Sequence, residues 1–532
     1  MTRGRAPNGF AAVGAFTLLA NLPFLAKPFH VDEPIFLAAV PQILRSPAHP
    51  LSFTYNWLGT SQAGPDLLNH SIITSYILAA ASALTRGSEF GMRLACLPFD
   101  VVAACALYAL AARYLKRPLG PVLTIIAGPA WFLSMPLLMA EKWMMCCILL
   151  SACALLRGLD EKNRPLYWLS AVLISLAVTL KSTAACLLIP LAVVQWRRGV
   201  PPARIAAYLL ACVALPALDA FWLEPWRLLD TAAFSRRLDP SVFARFQRLR
   251  ALLAFPAACG PIIAAGLLLP SSVSGERRRW TLLGAFLAAA LAFSPFLDTP
   301  GRAPVLFDRF LGLFFAFATL AALAKVMEPR SRRLPGGALW LSWLLAGLAA
   351  SWFNFFVSAR SILIFLPALT LALAERLEED LDARALDLFY GAGFSAILIL
   401  SFLLARVDAD FAGAQRAVAS VVQGRKVWFT GHWGFQYYME KAGAVGLDAG
   451  SGGWAAVRTG DLVVVPLNNT LQLLPPPALR YKISEVRMNE PIPLRLIDIG
   501  RRQAGFYASP FGFLPYTVSR EPLDVFTMVE TL

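Results

Sequence analysis

An acidic pair, Asp32 and Glu33, follows the first hydrophobic segment of this chain, in the stretch Pro28-Phe-His-Val-Asp-Glu-Pro-Ile-Phe-Leu37. A carboxylate beside a bilayer is costly to desolvate, so a pair at the mouth of a membrane bundle indicates a functional site. Carboxylates can accept the proton of a hydroxyl group, which makes this pair a candidate for acid–base chemistry. The alternatives are solvated loop side chains and, for Asp32, a helix cap.

Further charged residues lie at the ends of other hydrophobic segments. Glu141 and Lys142 are adjacent, whereas Lys181 and Arg360 occur singly. Glu141 and Lys142 have the alternative of pairing with each other. The alternative for Lys181 and Arg360 is snorkelling, in which a long side chain carries its charge to the membrane interface.

These residues belong to a strongly apolar chain. Of its 532 residues, 58% are hydrophobic and only 15% are charged, which is outside the usual range of globular proteins. Apolar stretches of roughly 17–25 residues, the length that crosses a bilayer, recur along most of the sequence. The first one, Phe10 to Ala26, is not followed by a small-residue cleavage site, which predicts a retained signal-anchor helix. The composition therefore predicts an α-helical polytopic membrane protein.

The net charge of +15 is distributed as short basic clusters between the apolar stretches. This distribution is typical of cytoplasmic loops under the positive-inside rule and argues against a nucleic-acid partner. It predicts a cytoplasmic amino terminus, an external carboxy terminus and a location in the plasma (inner) membrane. About thirteen spans are expected, at roughly 10–27, 92–112, 119–138, 143–157, 166–180, 183–196, 204–222, 251–270, 280–296, 306–324, 337–356, 361–375 and 386–405, of which the 166–196 pair has the alternative of being re-entrant.

The same topology places the acidic pair, Glu141, Lys181 and Arg360 on the external face, with all four histidines, including His70. The cytoplasmic loops are short and contain neither a Gly-x-x-x-x-Gly-Lys-Ser/Thr nor a Gly-x-Gly-x-x-Gly phosphate-binding motif. We therefore expect external chemistry that does not use ATP directly. The eight cysteines lie in or beside predicted spans and are interpreted as packing residues.

Two units are expected. Residues 1–405 form the transmembrane unit, with a long first external loop at about 28–90. In this loop Pro34–Leu44 and Ile72–Leu84 have helical periodicity and are predicted to lie in the membrane interface or against the bundle. Residues 406–532 are more polar, with strand-like runs at Lys426–Thr430, Asp461–Pro466 and Leu494–Asp498 and a helix at Gly434–Ala444. This pattern predicts a small extracytoplasmic α/β domain.

Several of these segments resemble motifs of one enzyme family. They are the acidic pair Asp32-Glu33; Asn69-His70-Ser71 leading into Ser88-Glu-Phe-Gly-Met-Arg-Leu94; Met135–Lys142 with Lys181; Asn354–Arg360 through Phe365-Leu-Pro367; and Gly431–Tyr438. The chain resembles the polyprenyl-phosphate-dependent membrane glycosyltransferases of the GT-C fold. Their family, glycosyltransferase family 39, includes protein O-mannosyltransferases and the aminoarabinose transferases of lipid A.

The resemblance implies transfer of a sugar from a polyprenyl-phosphate donor to a hydroxyl group of a glycan, lipid or protein acceptor. Such a transfer needs a base for the acceptor hydroxyl and cations for the departing phosphate. The predicted catalytic residues are Asp32 as base, Glu33 in catalysis or in support of the site, and Glu141 as a second acid. The predicted phosphate-binding residues are Lys181, Arg360 and Lys142, and His70 is expected to contact the acceptor or a metal. The cofactor is left open, with a divalent metal as one option.

Two other classes share parts of this pattern. A multi-spanning secondary transporter concentrates its charged residues near the midplane of the membrane, whereas here the mid-span positions are expected to be nearly uncharged. An O-antigen ligase-like protein or a non-catalytic scaffold shares the topology but has no need of Asp32.

Overall fold

The structure is a computed structural model that describes residues 7–57, 59–67, 71–223, 242–264, 267, 275–295, 305–354, 356–421, 426–470, 472–477, 479–501 and 503–532. His70 lies outside these residues, and its predicted role stays a prediction.

The amino-terminal half is helical apart from one short hairpin. Its helices are α1 (Pro7–Asn21), α2 (Glu33–Ala38), α3 (Val40–Arg45), α4 (Gly64–Leu67), α5 (Ile73–Thr85), α6 (Glu89–Tyr114), α7 (Leu119–Ala127), α8 (Pro129–Ser134), α9 (Ala140–Asp160), α10 (Arg164–Leu180), α11 (Leu188–Arg197) and α12 (Pro202–Leu223). The hairpin pairs β1 (Thr54–Asn56) with β2 (Ser61–Ala63) in antiparallel register. The helices predicted at Pro34–Leu44 and Ile72–Leu84 are confirmed as α2 with α3 and as α5.

The second half contributes the remaining helices: α13 (Val242–Cys259), α14 (Pro261–Ala264), α15 (Gly275–Ala292), α16 (Leu306–Met327), α17 (Pro329–Arg332), α18 (Gly337–Phe353), α19 (Leu366–Asp380), α20 (Ala383–Val421) and α21 (Trp433–Lys441). Short 3-10 turns at Ser182–Leu187 and Ser361–Ile364 precede α11 and α19. Helix α20 runs through position 405, so the change of composition after Arg406 does not coincide with the end of an element.

Local sequence signals explain several helix ends. Ser88 caps α6, because its hydroxyl accepts a hydrogen bond from Gly91 N at 3.1 Å. Asn163 caps α10 in the same way, accepting from Leu166 N at 3.1 Å. The extended backbone of Gly128 before Pro129 separates α7 from α8, within one predicted span.

Among the described residues, five helices are long and apolar enough to cross a membrane: Glu89–Tyr114, Ala140–Asp160, Pro202–Phe221, Leu306–Met327 and Ala383–Ser420. Shorter apolar helices accompany them at Asn8–Phe24, Ile73–Thr85, Arg164–Leu180, Ser182–Arg197 and Gly337–Phe353. The protein is therefore a membrane-embedded, multi-pass helical protein. The count of thirteen spans stays a prediction.

The carboxy-terminal residues form a five-stranded sheet in the order β4-β3-β5-β9-β6. Its strands are β3 (Val427–Phe429), β4 (Val445–Gly446), β5 (Leu462–Pro466), β6 (Tyr481–Met488) and β9 (Asp524–Thr531), and a separate pair joins β7 (Leu494–Arg495) to β8 (Thr517–Val518). β3 runs parallel to β4 and β5, whereas β9 is antiparallel to β5 and β6. One face packs on α21 through Phe435, which contacts Phe429 and Phe526. Strands and a helix are confirmed where the sequence predicted them, but β6 and β9, the longest strands, were not predicted.

Candidate active site

Asp32 and Arg360 meet at the centre of the site, although 327 residues lie between them in the sequence. Arg360 Nη2 donates to Asp32 Oδ2 at 2.6 Å. Asp32 precedes the first residue of α2, and Arg360 precedes the 3-10 turn Ser361–Ile364. The Asp32 side chain is 29% exposed, whereas that of Arg360 is 9% exposed. Asp32 is therefore the member of the pair that an incoming molecule can reach more easily.

Glu141 extends this pair into a chain of alternating charges. Its Oε1 lies 3.4 Å from Arg360 Nε and accepts a hydrogen bond from Lys181 Nζ at 2.5 Å. Although burial opposes its charge, the carboxylates of Glu141 and Asp32 raise the pKa of the Arg360 guanidinium above its usual value. The order Asp32–Arg360–Glu141–Lys181 gives two negative and two positive charges, so the cluster is neutral as it stands.

A cavity lies beside this charged chain. Glu141, Lys181 and Arg360 contribute their charges to its lining, and the polar side chains around them come from Thr183, Ser351, Asn354 and Ser361. Two cations on one cavity wall can bind a phosphate, Arg360 through its planar fork and Lys181 as a point charge.

Glu33 does not share the exposure of its neighbour Asp32. It is completely buried, and Arg93 binds it with two parallel hydrogen bonds, Nη1 to Oε1 at 2.6 Å and Nη2 to Oε2 at 2.9 Å. The backbone N–H groups of His30 and Leu138 also donate to this carboxylate, at 2.7 and 2.8 Å. Although burial opposes ionisation, Arg93 lowers the pKa of Glu33 below its usual value. These contacts do not support a direct catalytic role for Glu33 and favour the alternative, in which it supports the loop.

Lys142 lies on another side of α9 from its neighbour Glu141. Its Nζ is 3.1 Å from Asp100 Oδ2 of α6, and both side chains are at most 2% exposed. Successive helix residues point about 100° apart, which is why adjacent residues reach different partners. Lys142 does not line the cavity, so the structure does not support the predicted phosphate binding, and the alternative that it pairs with Glu141 is wrong. Asp100 also contradicts the expectation of nearly uncharged mid-span positions, because it lies midway along α6.

Sequence reasoning missed a second polar cluster next to the acidic pair. Asp408 of α20 is buried, and the Tyr507 hydroxyl lies within hydrogen-bonding distance, 2.7 Å, of both of its carboxylate oxygens. His30 Nε2 lies 3.0 Å from Asp408 Oδ1, and Lys27 forms a close ion pair with Oδ2. Burial lowers the pKa of His30, which favours the neutral ring. The signal in the sequence was an isolated Asp in an apolar helix, whose partners only the fold brings together.

A metal site does not emerge from the described part of the chain. No group of three or more His, Cys, Asp and Glu side chains there could hold an ion. Asp32 and Glu141, the two carboxylates of the charged chain, each already face a cation. The described residues of the charged chain therefore do not fit a bound divalent metal.

A comparison with known families matches one part of the chain. Residues 69–222 match the family described as dolichyl-phosphate-mannose-protein mannosyltransferase. The predicted family resemblance is confirmed. The match includes Glu141 and Lys181 of the charged chain, whereas Asp32 and Arg360 lie outside it. This match, which covers less than half of the chain, indicates a membrane glycosyltransferase with a lipid-linked sugar donor.

Solved structures show a weaker likeness. Two crystal structures of ArnT from Cupriavidus metallidurans match, one in the apo state and one bound to undecaprenyl phosphate. Each is 13% identical in sequence, and the alignment covers 87% of this chain and 93% of the ArnT chain with a TM-score of 0.40. The cryo-EM structure of arabinosyltransferase EmbB from Mycobacterium smegmatis matches with 15% identity, 83% of this chain, 44% of that chain and a TM-score of 0.36. No curated protein matches. We draw no conclusion from TM-scores this low.

Proposed function

We propose that this enzyme transfers a sugar from a polyprenyl-phosphate donor to an acceptor hydroxyl group on the extracytoplasmic face, with Asp32 as the base. The observation that carries the proposal is the chain Asp32–Arg360–Glu141–Lys181, in which a partly exposed carboxylate adjoins two cations on a cavity wall. The acceptor is a glycan, a lipid or a protein. The polyprenyl tail of the donor stays in the bilayer, so the cavity has to hold only the phosphate and the sugar.

The donor phosphate competes with the carboxylates for the two cations. In the present arrangement Arg360 is shared between Asp32 and Glu141, and Lys181 binds Glu141. A phosphate that takes the Arg360 fork frees the Asp32 carboxylate, whose oxygen then accepts the proton of the acceptor. Donor binding thus prepares the base. Glu141 is the counter-ion that keeps both cations beside the cavity, and this role replaces that of a second acid.

The chemical step is a substitution at the anomeric carbon. The acceptor oxygen forms a bond to this carbon as its proton passes to Asp32, and the bond from the carbon to the phosphate oxygen breaks. The bonding electrons leave with the polyprenyl phosphate, and Arg360 and Lys181 stabilise the charge that develops there. One carboxylate is sufficient for a single displacement, which inverts the anomeric centre.

The donor class is tested with purified enzyme and two radiolabelled donors. We expect the enzyme to consume a polyprenyl-phosphate sugar and not the matching nucleotide sugar. The Asp32→Asn enzyme is the control for contaminating activity, because it retains the fold but lacks the base. Turnover of the nucleotide sugar alone would refute the proposed donor. Uptake of free sugar into vesicles without any transfer would support the transporter alternative.

The side of the membrane on which the site lies is tested separately, in intact cells that express the protein. Ser451 is exposed and lies in a short turn of the carboxy-terminal region, and Glu161 is exposed in a predicted cytoplasmic loop. We expect a membrane-impermeant thiol reagent to label a Ser451→Cys variant and not a Glu161→Cys variant. The reverse pattern would contradict an extracytoplasmic carboxy-terminal region and an extracytoplasmic acceptor.

A further inference from the structure

The turn that carries Arg360 is held by a distant part of the chain, Phe506–Ser509, which we name the anchor segment. Ala359 N donates to Phe506 O at 2.8 Å, and Ser509 N donates to Val357 O at 2.7 Å. Val357 N in turn donates to the Ser509 hydroxyl at 3.2 Å. Three hydrogen bonds therefore fix the backbone immediately before Arg360 against the anchor segment.

Tyr507 connects the anchor segment to the loop that carries Asp32. Its hydroxyl lies 2.7 Å from each oxygen of the buried Asp408 carboxylate. The same carboxylate receives His30, only two residues before Asp32, at 3.0 Å. The rings of His30 and Tyr507 also contact each other edge to face, with centroids 5.3 Å apart. The loop that carries Asp32 and the turn that carries Arg360 are thus both connected to the Asp408 carboxylate on α20.

We propose that Tyr507 is a positioning residue of the active site, which sets the distance between Asp32 and Arg360 through Asp408. The inference rests on the proposed function, since these two groups are assigned there as base and phosphate ligand. Catalytic groups have to be held to within about 0.5 Å of their productive positions, and a displacement of about 1 Å can cost 10²-fold in rate. The carboxy-terminal region is in this sense part of the catalytic unit.

Two tyrosines allow a matched comparison in the full chain. Tyr507→Phe keeps the ring and removes the hydroxyl, while Lys27 and His30 stay on Asp408. Tyr516→Phe removes a hydroxyl from the same region, but this hydroxyl donates to Ala258 O, at 3.0 Å, and not to Asp408. A general loss of stability from a missing tyrosine hydroxyl would appear in both variants. A loss of positioning would appear only in Tyr507→Phe.

The first measurement does not depend on activity. Asp32→Cys and Arg360→Cys are combined, and the yield of cross-linking by a short bifunctional thiol reagent is compared in each tyrosine background. We expect Tyr507→Phe to lower the yield at least threefold and Tyr516→Phe to leave it unchanged. Ser509→Ala removes another contact of the anchor segment and should lower the yield less. Equal yields in the Tyr507→Phe and Tyr516→Phe backgrounds would overturn the inference.

The second measurement uses steady-state transfer from the polyprenyl-phosphate sugar. We expect Tyr507→Phe to raise the donor KM about tenfold, because Arg360 is less well placed for the phosphate, and Tyr516→Phe to leave it unchanged. Should the wild-type enzyme transfer no sugar, the proposed function fails, while the cross-linking yields still decide the role of Tyr507. A change in kcat and KM that is the same for both tyrosine variants would also count against positioning.

Discussion

Replacement of Asp32 by Asn is the sharpest test of the proposed mechanism, because it separates the base from the phosphate ligands. The amide keeps the size of the side chain and cannot accept the proton. Removal of a general base typically lowers the rate by about 10²–10⁴-fold. At about 1.4 kcal/mol for each factor of ten, this corresponds to roughly 3–5 kcal/mol of transition-state stabilisation.

The structure gives a separate expectation for donor binding. Asp32 Oδ2 accepts from Arg360 Nη2 at 2.6 Å, and so competes with the donor phosphate for this guanidinium. Loss of the negative charge relieves the competition. We therefore expect kcat to fall by the full factor while the donor KM stays equal or decreases, whereas Arg360→Lys and Lys181→Ala should raise the donor KM.

The same variant should fold normally. The Asp32 side chain is 29% exposed, and Glu141 stays beside Arg360 in the variant, so the guanidinium keeps a counter-charge. The assay is single-turnover transfer with purified enzyme, accompanied by thermal unfolding in detergent. Asp32→Asn enzyme that retains more than about one tenth of the wild-type kcat would refute the assignment of the base. A large loss of thermal stability would refute the interpretation of Asp32 as a group poised for an incoming molecule.

Three further predictions follow from buried charges. Glu33→Gln should lower the free energy of unfolding by about 3–5 kcal/mol, because it leaves Arg93 buried without its counter-charge; a loss no greater than that of Asp32→Asn would contradict this. Lys142→Met should be similarly destabilising, because it leaves Asp100 buried without its counter-charge, and the double variant Lys142→Met with Asp100→Asn should be less destabilised. The donor KM of the double variant should equal that of the wild type, because this pair does not line the cavity. Burial raises the pKa of Asp524 to about 7, above its unfolded value, so its contribution to stability is lost as the pH rises through about 7. Thermal unfolding at several pH values should show this decline in the wild type and a flatter profile in Asp524→Asn.

The sequence alone predicted a multi-pass membrane protein and named four charged residues that the structure brings together. Apolar length and composition predict membrane helices directly, because a bilayer demands long apolar segments. Asp32, Glu141, Lys181 and Arg360 were predicted to lie on one face, and the structure brings all four together. The prediction succeeds because charges at the ends of helical spans on the same side of a bundle are confined to a narrow layer.

Burial alone does not separate the predicted strands of the carboxy-terminal region from the others, because β9 is mostly buried and was not predicted. The run at β5 is mostly buried and reads as a strand, whereas β6 is an edge strand with mostly exposed or half-exposed residues. An edge strand obtains its hydrogen bonds from one neighbour and needs no apolar pattern. The structure shows that β6 is held by β9, to which it pairs along its whole length.

The sequence by itself determined which charged residues of this protein lie at the ends of its apolar segments, because composition and segment length define where those segments end. Only the tertiary structure decided which charges meet. Glu141 and Lys142 are adjacent in sequence, yet one faces Lys181 and Arg360 while the other is paired with Asp100. Ion pairs depend on distances of a few ångströms between elements that are far apart in the chain. The rotation of each helix and the docking of the carboxy-terminal region set those distances, and neither leaves a local pattern in the sequence.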